Sequence, residues 1–223
     1  MKKILFAIII SIFLTSVVEA QISKGSIMLG GGIGISSSKN DYNSSSTTND
    51  QTNYSINPVV GIAVKENLIF GVGLGYGNSE STINSGQTKQ ENESKTYGGH
   101  VFLRKYLPIG KKFYLYGEGA LGYSKFEYSN VTTNIFNTVD QSNFAKGWNI
   151  ALNLSPGLSY AAHRKFHLEA SLPGLLNLQY TKSKNNSLSG NIRSEQDQNN
   201  FAFSSNASNL SSVNIGFRFF FSK

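Results

Sequence analysis

From Gly25 onward the chain alternates strictly between short and long connections, and no other feature limits its possible folds so sharply. Eight segments rich in Tyr, Phe, Ile, Val and Leu carry apolar residues at every second position, the period of a strand with two unlike faces. They run over about 25–37, 54–65, 68–79, 95–107, 113–126, 145–161, 166–182 and 200–221. The gaps after the second, fourth and sixth are short: Glu66-Asn67, Pro108 to Lys112, and Ala162 to Lys165. The other four, about 38–53, 80–94, 127–144 and 183–199, are long and built from Ser, Asn, Thr, Gln and Gly. In an antiparallel up-and-down sheet every other connection lies on the same side. One side therefore carries tight turns and the other four long polar loops, the asymmetry of a membrane-spanning barrel. A soluble sandwich has no reason to sort its loops this way.

The two faces of each segment agree with that reading. In the third, Leu68, Phe70, Val72, Leu74 and Tyr76 alternate with Gly71, Gly73, Gly75 and Gly77. In the sixth, Trp148, Ile150, Leu152, Leu154, Leu158 and Tyr160 alternate with Asn149, Ala151, Asn153, Ser155, Gly157 and Ser159. One face is bulky and apolar, the other small or polar. Alternation alone would also suit a soluble barrel, but the aromatics discriminate. On the apolar parity Tyr54, Tyr76, Tyr97, Tyr123, Trp148 and Tyr180 stand at one height near the long connections. Phe113, Tyr160, Phe166, Phe219 and Phe221 stand near the short ones. Two aromatic girdles around an aliphatic band mark a lipid-facing surface, because amphipathic rings settle at headgroup level. Ten residues separate Tyr54 from Val64, and a tilted strand of that length covers about 25 Å of membrane.

The 223 residues suit a single domain, and the absence of cysteine excludes disulfides and thiolate metal sites. Residues 1–20 read as a cleaved secretory signal: Lys2 and Lys3, an apolar run from Ile4 to Leu14, then Val18-Glu19-Ala20. That run is too short for a transmembrane helix. Residues 21–223 are left for the barrel.

The last segment holds Asn214-Ile215-Gly216-Phe217-Arg218-Phe219-Phe220-Phe221. Asn214, Gly216, Phe219 and Phe221 resemble the C-terminal signal read by the outer-membrane assembly machinery, with the departure that Ser222 and Lys223 follow the final aromatic. The whole mature chain looks like a small bacterial outer-membrane β-barrel of the OmpA/OmpX type. The resemblance implies an all-β fold, an eight-stranded antiparallel up-and-down transmembrane β-barrel in the outer membrane of a Gram-negative cell. It implies as partners outer-membrane lipids and lipopolysaccharide, and the barrel assembly machinery during biogenesis. A monomer is expected.

The formal charge of +7 has a location. Lys24, Lys65, Lys105, Lys111, Lys112, Arg164, Lys165 and Lys223 ring the short turns against Glu66 alone. Attraction to anionic headgroups accounts for such a ring at about 1 kcal/mol per cation. Nucleic-acid binding would want a clustered basic face with aromatics beside it, and none stands out.

Four charged residues fall on the inward parity: Arg104, Glu118, Glu169 and Arg218. All lie toward the short turns, and strand adjacency makes Arg104–Glu118 and Glu169–Arg218 reachable pairs. They are expected to form a structural charge network closing a lumen that side chains just fill. A gated proton or ion path is the sharper alternative.

No catalytic residues, cofactor or metal site are expected. A lipid-modifying barrel enzyme would need a nucleophile and its base at the outer rim. His163 lies in a short turn, His167 is close to one, and His100 sits inward near mid-span. Gly30-Gly31-Gly32-Ile33-Gly34 lacks the strand–turn–helix setting of a phosphate loop. The Asn-x-Ser/Thr triplets at Asn43, Asn92 and Asn130 follow from the Asn- and Ser-rich composition. The expected function is that of a non-enzymatic surface barrel with an occluded lumen, acting through its loops in adhesion, host contact or envelope integrity, with an extracellular ligand held by those loops. The first alternative is a narrow conduit for small, apolar solutes, with Gly71, Gly73, Gly75, Ala151 and Gly157 leaving a cavity on one side. The second is a lipid-modifying enzyme.

Overall fold

The computed structural model describes residues 21–42, 47–134, 136, 138–190, 192–205 and 214–221. The signal segment 1–20, Asn43 and Lys223 lie outside the described residues. Ten strands make one antiparallel sheet: β1 (Ile27–Tyr42), β2 (Thr47–Lys65), β3 (Leu68–Asn84), β4 (Thr88–Pro108), β5 (Phe113–Asn134), β6 (Val139–His163), β7 (Phe166–Ser171), β8 (Leu176–Ser189), β9 (Ile192–Ser205) and β10 (Asn214–Phe221). Consecutive strands pair from β1 to β6; β6 then pairs with β7 at one end and β8 at the other. β7 pairs with β10, β8 with β9, and β10 with β1, closing the ring. The result is an eight-staved antiparallel barrel in which β7 with β8, and β9 with β10, are each one stave.

The seventh segment, continuous from 166 to 182 in the sequence reading, is broken between Ser171 and Leu176. Pro173 has no N–H to give the ladder, and Gly174 follows with φ +58°. Leu172 N instead donates to Pro156 O at 3.0 Å and Gly174 N to Ser155 Oγ at 2.9 Å.

A larger difference concerns the long connections. Most of the residues expected to be loops are strand. The β1–β2 ladder runs to Tyr42↔Thr47, β4–β5 to Thr88↔Asn134, and β8–β9 to Ser189↔Ile192. From the girdle residue Tyr97 to Thr88 the strand continues for about 30 Å. Polar cross-strand contacts hold these hairpins: Tyr128 Oη donates to Asn92 Oδ1 at 3.3 Å, Asn53 meets Ser36 at 3.1 Å, and Lys184 meets Glu195, while Lys95 and Glu93 pair along β4 itself at 2.5 Å. Glu93 raises the Lys95 ammonium pKa above its usual range. The sequence hid these strands because apolar alternation disappears where both faces meet water.

The core lies inside the barrel, at its short-turn end. Met28, Ala63, Ile69, Phe102, Tyr106, Tyr114, Tyr116 and Phe220 are buried there. The inward face was expected to be small or polar; this half of it is aromatic, and inward glycines make the room. A Cβ on Gly71 would collide with the Phe102 ring, and one on Gly157 with the Tyr116 ring.

Among the described residues the ladder is shorter on one side. β1 pairs with β10 only from Ile27↔Phe221 to Gly31↔Phe217. Beyond Gly31, among the described residues, β1 pairs with β2 alone and β9 with β8 alone. Ile33 and Ile35 are 77% and 80% exposed, and Phe201 and Phe203 are 68% and 67%. On fully paired strands Val60, Val101 and Leu121 are 43%, 43% and 50% exposed. Among the described residues, the hairpin-end half of the barrel thus shows a seam between β1 and the stave of β9 and β10.

Gly157→Leu is expected to overpack the lumen against Tyr116 and cost about 1–3 kcal/mol. Gly32→Ala, where no atom lies within 4 Å of the added Cβ, should cost under 1 kcal/mol. Urea unfolding of the refolded barrels measures both, and equal midpoints would contradict the packing described.

Candidate functional site: the lumen

Parity places Phe102, Arg104 and Tyr106 of β4 on the inward face, with Tyr116 and Glu118 of β5 and Glu169 of β7. The register sets Arg104 opposite Glu118. Arg104 Nη2 lies 2.5 Å and Nε 2.8 Å from Glu118 Oε2. Its Nη1 reaches across the lumen to Glu169 Oε2 at 2.7 Å. Tyr106 Oη donates to the other Glu169 oxygen at 2.6 Å and accepts from Arg104 Nη1 at 3.1 Å. The guanidinium carbon stands 4.6 Å from the Tyr116 ring centroid. One cation thus serves two carboxylates, among aromatic rings that exclude water.

Arg218 is more peripheral. Its Nε stands 3.4 Å from Glu169 Oε2 without forming a hydrogen bond, while Nη1 donates to Phe217 O at 2.9 Å. The sequence pairing of Glu169 with Arg218 is therefore the weaker contact. The Arg104–Glu169 bridge and Tyr106 were not singled out from the sequence. Tyr106 shares the inward parity of Arg104, which was the available signal.

Above this floor, toward the hairpins, lies a cavity of about 600 Å³. Asn57, Thr96, His100, Asn149 and Asn153 line it, with Glu118 at its base. Gly75 and Ala151 face it as the conduit reading requires. Gly71, Gly73 and Gly157 do not leave open space: Phe102, His100 and Tyr116 occupy it.

The histidines separate. His163 is exposed in its turn, and His100 packs 5.9 Å from Phe102. His167 Nδ1 meets Ser159 Oγ at 3.1 Å, both residues buried at the short-turn end. That serine is 0% exposed, so the pair offers no reachable nucleophile. Among the described residues no group of three or more acidic or histidine side chains could hold a metal. Asn92 and Asn130 bond to each other across the β4–β5 hairpin.

The aromatic residues form two belts on the outer surface. Tyr54 and Tyr76 are 6.0 Å apart, Tyr123 and Trp148 6.2 Å, and Trp148 and Tyr180 5.5 Å, while Tyr97 is paired with Tyr76. At the other end Phe113 meets Tyr160 at 4.9 Å and Phe166 meets Phe219 at 5.2 Å. Asn214 and Gly216 stand opposite Ser171 and Glu169, and Phe219 and Phe221 opposite Leu29 and Ile27.

A closed barrel with two aromatic belts and a charged internal lock accords with the family comparison, which matches residues 20–180 to the outer membrane protein beta-barrel domain. The chain belongs to that family. Among solved structures it is similar to the outer membrane protein OprG from Pseudomonas aeruginosa, with 12% identity, TM-score 0.46, and 90% of this chain and 98% of that one covered. A major outer membrane protein from Thermus thermophilus gives 12% identity and TM-score 0.43, covering 91% and 100%. The ferric yersiniabactin uptake receptor FyuA from Yersinia pestis gives 8% identity and TM-score 0.42, and the match covers 70% of this chain but only 25% of the receptor. No curated protein matches the chain.

Removing one partner of a buried ion pair costs about 3–5 kcal/mol. Arg104→Ala leaves Glu118 and Glu169 facing each other without their shared cation, and a loss of that size is expected in urea unfolding. The triple variant Arg104→Met, Glu118→Gln, Glu169→Gln should recover most of it. An Arg104→Ala barrel as stable as the native one would contradict the lock.

Proposed function

We propose that the protein is a non-enzymatic, non-conducting barrel of the outer membrane, with its short turns in the periplasm and its hairpins outside. The observation that carries this reading is the floor of the lumen: Arg104 held by Glu118 and Glu169 against Tyr106 and Tyr116. A guanidinium bonded to two carboxylates and a phenol, with rings packed around it, is a plug. Work at the cell surface then falls to the hairpins. Their polar ladders make them firm, and Phe136 and Ile192, 78% and 75% exposed near two tips, are apolar contact points for an adhesion target or other extracellular ligand. Lipopolysaccharide is the expected neighbour: Lys125 and Lys182 flank Trp148 on adjoining strands, at the height of outer-leaflet phosphates.

Planar-bilayer recording of the refolded protein tests the plug. The native barrel should be silent, and Arg104→Ala should leak. Stable conductance from the native protein would overturn the reading and make transport the leading function.

The seam favours one second reading, a lateral conduit for small apolar solutes. Among the described residues the cavity above the floor is lined by β2 to β6 and the Pro173-Gly174 break, and an open seam would join it to the lipid. The chain has no cysteine, so Ile33→Cys with Ile215→Cys, which the β1–β10 register sets opposite each other just past its last pair, gives a clean pair for spin labels. An open seam predicts a separation well beyond the spacing of about 5 Å between paired strands. Labels held at paired-strand distance in a bilayer would remove the conduit reading.

A further inference from the structure

The short-turn end contains a second cavity that the lumen's plug does not use. It has a volume of about 550 Å³, within the range of small-molecule sites. Lys111, Lys112 and Arg164 stand around it, with His163 and the chain near Gln21, and among the described residues no acidic side chain lines it. Its floor is aromatic: Tyr114 stacks on His167 at 5.4 Å and 27°, and His167 lies 4.6 Å from Phe220.

Three features make this a built cavity and not a chance gathering of surface lysines. First, backbone hydrogen bonds fix its rim. Ala161 N donates to Lys112 O at 2.7 Å, tying the β4–β5 turn to the end of β6; Phe220 N donates to Lys165 O at 2.9 Å. On the other flank Ile22 N donates to Asn67 Oδ1 at 2.9 Å. Second, two polar atoms on the floor lack protein partners. His167 uses Nδ1 for Ser159, which leaves Nε2. Tyr114 Oη has no hydrogen bond among the described residues. Both residues are buried and line the cavity. Third, Glu169, two residues from His167 on the same inward face, is already engaged by Arg104 and Tyr106.

We infer that this cavity binds a phosphate ester, with the phosphate at Lys111, Lys112 and Arg164 and an adjoining hydroxyl or ester oxygen at Tyr114. Three cations suit a phosphate better than a singly charged carboxylate, and the Arg fork matches its oxygens two at a time. The three cations are exposed at the rim, and the apolar floor of Tyr114, His167 and Phe220 beneath them strengthens the attraction relative to lysines on an open turn. A site of this kind is distinct from a diffuse basic ring, in which every turn cation would count alike. The inference is independent of whether the lumen conducts. The ester has two possible sources, a phospholipid headgroup in the adjoining leaflet or a free phosphate ester of the periplasm.

The experiment uses the full barrel assembled in phosphatidylcholine nanodiscs. One arm titrates glycerol 3-phosphate by calorimetry; the other adds phosphatidic acid to the discs and counts retained lipid by native mass spectrometry. Binding in the first arm assigns a free ester, and retention only in the second assigns a headgroup. Lys112→Gln and Arg164→Gln should each weaken binding about tenfold. Tyr114→Phe, which keeps the floor's ring, should weaken it about threefold. Lys65→Gln and Lys105→Gln, on strands beside the Glu66-Asn67 turn, should leave it within about twofold. Heat-modifiable gel mobility confirms that each variant is folded. Binding in neither arm would overturn the inference, as would equal losses from the rim and the control lysines.

Discussion

Arg104 is a single cation answering two carboxylates from opposite sides of a narrow tube, and much of the short-turn half is arranged around that fact. An arginine in the lumen of a membrane barrel has no water to retreat to, so its desolvation must be offset completely or the residue could not be there. Glu118 does so from the neighbouring strand and Glu169 from across the lumen. The second requirement sets a distance. The lumen must be narrow enough for one guanidinium to bridge it, and Tyr106 then fixes the far carboxylate by its remaining oxygen. The rings of Phe102, Tyr106 and Tyr116 around Arg104 keep water from competing with those bonds.

The same narrowness explains the glycines. A barrel this small cannot place a bulky residue at every inward position, so large rings are matched by their absence next door. Tyr116 lies where Gly157 has no side chain, and Phe102 over Gly71. Toward the hairpins the inward residues stay small or become amides, and the lumen widens into the cavity around Asn57, His100 and Asn149. The barrel is thus solid at one end and hollow at the other, and the transition falls at Glu118.

Much of this was legible in the residues, for particular reasons. Leu68 to Gly77 alternate because one face of β3 meets lipid and the other a crowded lumen, and that contrast is what a period-two pattern records. Hairpin adjacency puts Glu118 opposite Arg104, and the register pairs those two residues. The Arg104–Glu169 bridge was not legible, because it joins β4 to β7 through the barrel's interior and depends on its diameter. The hairpin strands were hidden for the opposite reason. Between Thr88 and Lys95 both faces are wet, so Gln90, Asn92 and Ser94 look no different from Lys89, Glu91 and Glu93. The gap in the seventh stave was signalled by Pro173-Gly174, but the apolar pattern of Leu172, Leu176 and Leu178 runs across it unbroken.

The uninterrupted hairpins have a mechanical consequence. β5 and β6 run without a break from an apex at Asn134 and Val139 down to Phe113 and His163 at the short turns. A pull on the apex Phe136 is therefore directed along both strands, and their ladders bear it in shear. Many hydrogen bonds then share the load at once; a pull across the strands would open them one at a time. Such a hairpin is a stiff lever seated in the barrel wall. Tension applied at the cell surface would pass down it, below the aromatic belt, to the ring of rungs in which Glu118 and Arg104 face each other.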